Sequence, residues 1–154
     1  MHRVHAFTLA VALSLTAAVM FPEAAAHGPS ALGRPASASQ AKRTIAIEMS
    51  DAMRFSPTQI TVARGEVVRL AVSNNGQLTH ELVLGTMEDL KEHAEHMKAH
   101  PDMKHDEPNM IQLAAGKRGE LVWQFTQRGE FHYGCLVPGH FEAGMVGKIV
   151  VTEK

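Results

Sequence analysis

Cysteine is all but missing from this sequence: Cys135 stands alone, so no internal disulfide can form. Aromatic residues are scarce as well, with one Trp and one Tyr. Charge is nearly balanced at a formal −1, and no basic patch or stripe marks a nucleic-acid surface. Long apolar runs are lacking too. The most extended one, Ala6 to Phe21, is short for a bilayer span, which needs about 20 residues. It follows a short basic start, Met1-His2-Arg3, and precedes the small residues Ala24-Ala25-Ala26. That is the pattern of a cleavable signal peptide over residues 1–26. Its removal takes away Arg3 and Glu23 and leaves the net charge unchanged. No cysteine follows the cleavage region, which argues against a lipid anchor, and no membrane insertion is expected after cleavage. An unpaired thiol in an oxidising compartment is a liability unless a metal holds it.

What the chain has in surplus is histidine and methionine, ten and nine residues. Three metal-capable side chains share one Gly/Pro-rich stretch, Gly134-Cys135-Leu136-Val137-Pro138-Gly139-His140-Phe141-Glu142-Ala143-Gly144-Met145, spaced C-x4-H-x4-M. Taken singly, a cysteine reads as a small buried hydrophobe and a methionine as core filler. Taken together, thiolate, imidazole and thioether suit a soft or borderline metal. Zinc is the nearest chemical rival, but structural zinc sites prefer Cys and His in sets of four and rarely use Met. A thiolate with two imidazoles and a weak axial methionine is the blue-copper arrangement. A second imidazole must then come from elsewhere, and the candidate is His80 in Asn74-Asn75-Gly76-Gln77-Leu78-Thr79-His80-Glu81-Leu82.

Residues 27–42 are rich in Ala, Ser, Gly and Pro and read as a flexible leader. Cleavage after Ala26 would make His27 the first residue, where α-amine and imidazole can chelate copper together, or the peptidase simply cuts there. From Arg43 onward, short alternating segments predict strands at Thr44–Met49, Gln59–Val62, Val67–Val72, His80–Leu84, Glu120–Phe125, Glu130–Cys135 and Val146–Val151. Phe55-Ser56-Pro57 is read as a turn. Such spacing suggests an all-β sandwich. Period two puts Phe131, Tyr133 and Cys135 on the inward face and sends His132 outward, away from any primary ligand set.

An insertion over about 86–110 interrupts the β pattern. Thr86 to His100 is dense in helix formers, with Thr86 as cap, Asp89 three residues on and Pro101 as terminator. At about 100° per residue, Met87, Leu90, Ala94 and Met97 share the packing face, and His93, His96 and His100 form a neighbouring stripe. With Met103, His105 and Met110 beyond it, this tract reads compositionally as metal binding, with thioethers selecting Cu(I). The bland alternative is a solvated polar helix. His93, His96, Met97, His100, Met103, His105 and Met110 are the candidates for secondary, weaker copper sites.

The run Tyr133-Gly134-Cys135 through Met145, followed by Val146-Gly147-Lys148-Ile149-Val150-Val151, resembles the copper loop and last strand of a cupredoxin. Arg54-Phe55-Ser56-Pro57 through Val68 is similar to the early strands of that family, and the resemblance covers residues 43–154. It is closest to the periplasmic copper-tolerance (CopI-type) cupredoxins of bacteria, through the loop Pro138-Gly139-His140-Phe141-Glu142-Ala143-Gly144-Met145 and the His/Met-rich insertion. It implies a Greek-key β-sandwich with a short helical insertion, and copper (Cu2+/Cu+) as cofactor. It also implies a periplasmic location and a role in copper tolerance rather than catalysis. The ligands would be the Cys135 thiolate, the His80 and His140 imidazoles and the axial Met145 thioether. Partners would be copper ions and a periplasmic redox or copper-transfer protein.

Two departures stand out. Many cupredoxins carry Asn directly after the first histidine, where it braces the copper loop, and here that position is Glu81. Many electron carriers have an aromatic residue just before the cysteine, and here it is Gly134. A diffusible single-copper electron carrier is the competing reading. A copper oxidase or nitrite reductase would need a further copper centre for which one β domain supplies no evident ligands.

Overall fold

A computed structural model of the chain describes residues 32–100 and 106–154. The signal peptide, His27, Pro101, Met103 and His105 lie outside the described residues. Alternation of apolar and polar residues generates most of the strands. In β5 (Val67–Asn74) every second side chain is buried, including Val68, Leu70 and Val72. β2 (Arg43–Ser50) and β8 (Arg118–Phe125) follow the same period and flank it, β2 in parallel and β8 antiparallel. β1 (Gly33–Pro35) and β3 (Arg54–Ser56) complete a five-stranded sheet in the order β1-β8-β5-β2-β3.

The second sheet runs β4-β10-β9-β6-β7. Its members are β4 (Gln59–Ala63), β6 (His80–Gly85), β7 (Met110–Leu113), β9 (Gly129–Gly134) and β10 (Val146–Thr152). The two sheets close over a core that includes Trp123, Phe125, Tyr133, Phe55, Ile149 and Leu82, giving the cupredoxin-like sandwich. β6 does not alternate, because all six of its residues are buried. Its second face is covered by α1 (Met87–Ala99).

α1 starts where expected. Thr86 Oγ1 accepts the Asp89 N–H at 3.1 Å and Asp89 Oδ2 accepts the Thr86 N–H at 3.1 Å, a reciprocal capping box. Acids in the first turn (Glu88, Asp89) and His96 and Lys98 in the last suit the helix dipole. The buried stripe is Leu90, Ala94 and Met97, packed with Val83 and Leu136 into a second apolar cluster outside the sheet. Burying Leu90 alone contributes about 1.5–3 kcal/mol.

Two segments differ from the sequence expectation. Part of the stretch read as a flexible leader is built into the fold: Leu32 is buried in the core and β1 pairs with β8, Gly33 opposite Phe125. An edge strand needs only backbone pairing and one apolar anchor, and Pro35 is tolerated there because an edge residue can leave its nitrogen unpaired. Phe55, read as part of a turn, lies on β3 and meets the Tyr133 ring edge-on at 5.1 Å.

Candidate metal centre

Register brings the ligand candidates to one pole. β9 lies between β6 and β10, with Gly134 opposite both Val83 and Val146. The residue after β9 (Cys135), the residue before β10 (Met145) and the first residue of β6 (His80) therefore emerge at the same end. The Cys135 N–H donates to the Met145 carbonyl at 3.1 Å, and the Met145 N–H donates to the His140 carbonyl at 3.1 Å. These bonds close the 135–145 loop and set His140 beside Cys135. Cys135, His80 and Met145 have no exposed surface, and His140 is half-buried.

Three donor atoms converge. Cys135 Sγ is 3.4 Å from His140 Nδ1 and 4.0 Å from His80 Nδ1, and the two Nδ1 atoms are 3.2 Å apart. Donors bound to one ion at ordinary metal–nitrogen and metal–sulfur distances in a trigonal array stand about 3.5–3.8 Å apart. The observed triangle fits a single soft or borderline ion. His80, Cys135 and His140 are the metal-capable cluster found among the described residues. Met145, the thioether that the sequence offers as a fourth donor, is buried in the same core cluster as Cys135.

The surroundings fix each donor. Asp51 Oδ1 lies 3.0 Å from His80 Nε2. A carboxylate only accepts, so Nε2 carries the proton and the Nδ1 lone pair faces the centre. The sulfur receives the Glu81 N–H at 3.4 Å. Burial pushes the metal-free Cys135 thiol up to about 12, against hydrogen bonds from the Glu81 and Val137 backbone and reinforced by the Glu81 charge. Burial, and then His80, hold the His140 imidazole below its ordinary value, with Asp51 and Glu142 opposing.

Glu81 supplies the brace that its position put in question. Its Oε1 accepts the Leu136 N–H at 3.0 Å, directly after Cys135, and Oε2 accepts from Gln112 Nε2 at 3.3 Å. The side chain is buried, 3 % exposed, with both oxygens accepting N–H bonds. Glu81→Ala leaves the Leu136 N–H without this acceptor in a buried site. The expected cost is about 1–3 kcal/mol in urea unfolding of the metal-free protein. An unchanged midpoint would show that the carboxylate does not hold the loop.

Gly134 also finds its reason. A Cβ there would lie 3.2 Å from the Phe141 ring and 3.3 Å from Leu90 Cδ1. α1 and Phe141 thus fill the space that an aromatic residue before the cysteine would need. Lys98 on α1 pairs with Glu142, tying the helix to the copper loop.

The histidine-rich tract divides. His96 and His100 are both exposed, one turn apart, with ring centroids 4.7 Å apart. His93, on the same stripe, is half-buried. Met97 is buried among Leu90, Ala94 and Leu136, and Met110 packs against the same cluster, so both thioethers serve packing in this structure. His132 lies on β9 away from the centre, half-buried beside Glu130, as its alternation implied. Asp51 and Asn74 were not anticipated. Asn74 Nδ2 donates to the Leu78 and Leu113 carbonyls at 2.7 and 2.9 Å and so holds the segment leading into His80. Only the folded chain brings Asp51 to His80, and no spacing pattern marks either residue.

Comparison with known proteins agrees with this geometry. The family model described as copper binding proteins, plastocyanin/azurin family, matches residues 41–152. A copper-resistant cuproprotein CopI of Rubrivivax gelatinosus is 57% identical over 119 residues, 77% of this chain and 72% of the relative. The CopI of Pseudomonas aeruginosa is 37% identical over 158 residues, covering 82% of this chain and 84% of its own. Among solved structures, auracyanin B superposes with a TM-score of 0.65 at 24% identity, over 78% of this chain and 96% of its own, a likeness of fold.

Proposed function

The chain belongs to the plastocyanin/azurin family of copper-binding proteins, and from that membership we propose a periplasmic copper-tolerance protein whose His80, Cys135, His140 and Met145 would hold one copper ion. The observation that carries this reading is the convergence of Cys135 Sγ with two Nδ1 atoms at one pole of a rigid sandwich. Copper bound there supplies one-electron chemistry between Cu(I) and Cu(II). The protein's share is positioning. Strands β6, β9 and β10 fix the donors, so little rearrangement accompanies a change of oxidation state. Full burial of His80, Cys135 and Met145 keeps water from three of the four donors, and half-exposed His140 marks the approach to the centre.

Tolerance rather than simple electron carriage is supported by the relatives' names and by α1. The helix covers the face of β9 at Gly134 and presents His96 and His100 side by side. These two imidazoles would take a second, weaker copper ion, with His93, Met103 and His105 as neighbours in sequence. Replacing both His96 and His100 by Ala is expected to lower copper content by elemental analysis while the thiolate–copper absorption of the main centre persists. Equal copper content in the double variant would remove the second site. The electron-carrier reading draws on Leu78, the exposed large apolar side chain among the described residues, two positions from His80. Growth separates the two readings. A strain lacking the gene should fail at elevated copper and be rescued by the wild type but not by Cys135→Ser, whereas unaffected growth favours the carrier.

A further inference from the structure

Asp51 sits in the turn between β2 and β3, 29 residues before His80, and belongs to no metal-binding pattern in the sequence. Its carboxylate is nevertheless the hub of the segment that presents His80. Oδ2 accepts the Gln77 N–H at 2.7 Å, and Oδ1 accepts the Leu78 N–H at 3.2 Å and faces His80 Nε2 at 3.0 Å. Three N–H donors on two oxygens leave it no freedom to rotate away. The segment is shaped to admit it: a Cβ on Gly76 would fall 2.0 Å from Oδ1, so only glycine permits this approach. The Gly76 N–H is in turn held by Asn74 Oδ1 at 2.9 Å.

We propose that Asp51 is a positioning residue of the copper centre, holding His80 in the tautomer whose Nδ1 faces Cys135 and placing a negative charge that favours Cu(II) over Cu(I). The inference rests on the metal centre proposed above. A carboxylate accepting from the far nitrogen of a ligating histidine fixes the ring and raises the basicity of the ligating nitrogen. A more basic ligand and a nearby negative charge both help the more highly charged ion more. The 37 % exposure of Asp51 means that solvent screens part of the charge. Removing such an outer partner costs about 10–100-fold in metal affinity. That loss should fall mainly on Cu(II).

The competing role is purely structural, with Asp51 as a cap for Gln77 and Leu78. Affinities for Cu(II) and Cu(I), measured separately by chelator competition on wild type, Asp51→Asn and Asp51→Ala, distinguish the two. Asp51→Asn keeps an acceptor oxygen and the side-chain volume but removes the charge, and it carries the test if Asp51→Ala fails to fold. Cu(II) affinity should fall about 10-fold or more in Asp51→Asn with a smaller change for Cu(I), and the reduction potential should rise accordingly. A loss equal for both ions, or no loss, overturns the proposal and leaves Asp51 a loop cap. The wild type separates the two levels of inference. A copper-loaded wild type without a thiolate band means that the centre itself is wrong. A wild type with the band, and variants sharing its Cu(II)/Cu(I) ratio, mean that only the role of Asp51 is wrong.

Discussion

Cys135→Ser is expected to abolish the intense thiolate-to-copper absorption and to lower copper affinity at the main centre by more than about 100-fold, beyond the cost of losing an outer-shell partner. The Cys135 sulfur approaches both imidazoles, at 3.4 and 4.0 Å. The fold should survive the change. Cys135 is wholly buried, and a serine hydroxyl of similar shape leaves an acceptor for the Glu81 N–H now directed at sulfur. The backbone bonds between Cys135, Met145 and His140 involve no side chain and remain. Unfolding midpoints of the metal-free wild type and variant should therefore lie close together, so the loss of colour reports on the ligand and not on collapse of the protein. Copper counted by elemental analysis adds a second reading. Ions held by His96 and His100 should remain in the variant, and loss of every copper would argue that no independent site exists on α1.

Gly147→Ala should be the most damaging small substitution near the centre. A Cβ at this position would lie 2.1 and 2.2 Å from Tyr133 Cε2 and Cζ, well inside contact distance. Tyr133 is not able to yield. Its ring is fully buried, stands edge-on to Phe55, and donates its hydroxyl to the Pro57 carbonyl at 2.6 Å. Over-packing of this kind costs typically 1–3 kcal/mol, and with every neighbour fixed the upper end, about 3 kcal/mol or more, is expected. Gly147 faces Tyr133 across the β9–β10 pair, the same pair that holds both ends of the copper loop. Urea unfolding of the metal-free variant should thus show a large fall in midpoint. A midpoint like that of the wild type would mean that the strands part more easily than the packing implies.

What could be read beforehand, and what could not, follows from how local each feature is. The Cys135-His140-Met145 loop was legible because three donors share one short stretch and their backbone bonds stay within it. Strands β2, β4, β5, β8, β9 and β10 were legible by alternation, and α1 by its cap and its Leu90-Ala94-Met97 stripe. β1 was hidden because an edge strand is chosen by its neighbour's open backbone and not by its own apolar content. The full burial of β6 depends on α1 folding back across it, a tertiary event without a local signature. Met97 and Met110 showed the ambiguity of thioethers, which fill cores as readily as they bind Cu(I), and the structure uses both for packing. Glu81 departed from the family's pattern, yet its longer side chain reaches the Leu136 N–H and braces the loop. Asp51 acts across 29 residues of chain and becomes visible only in three dimensions.

The visible absorption spectrum of the Cu(II)-loaded wild type, recorded with its copper content, asks most directly whether one sulfur and two imidazoles share an ion. An intense charge-transfer band that bleaches on reduction and returns on oxidation is the expected result. Copper-loaded protein showing only the weak absorption of nitrogen- and oxygen-bound Cu(II) would mean that Cys135 is no ligand.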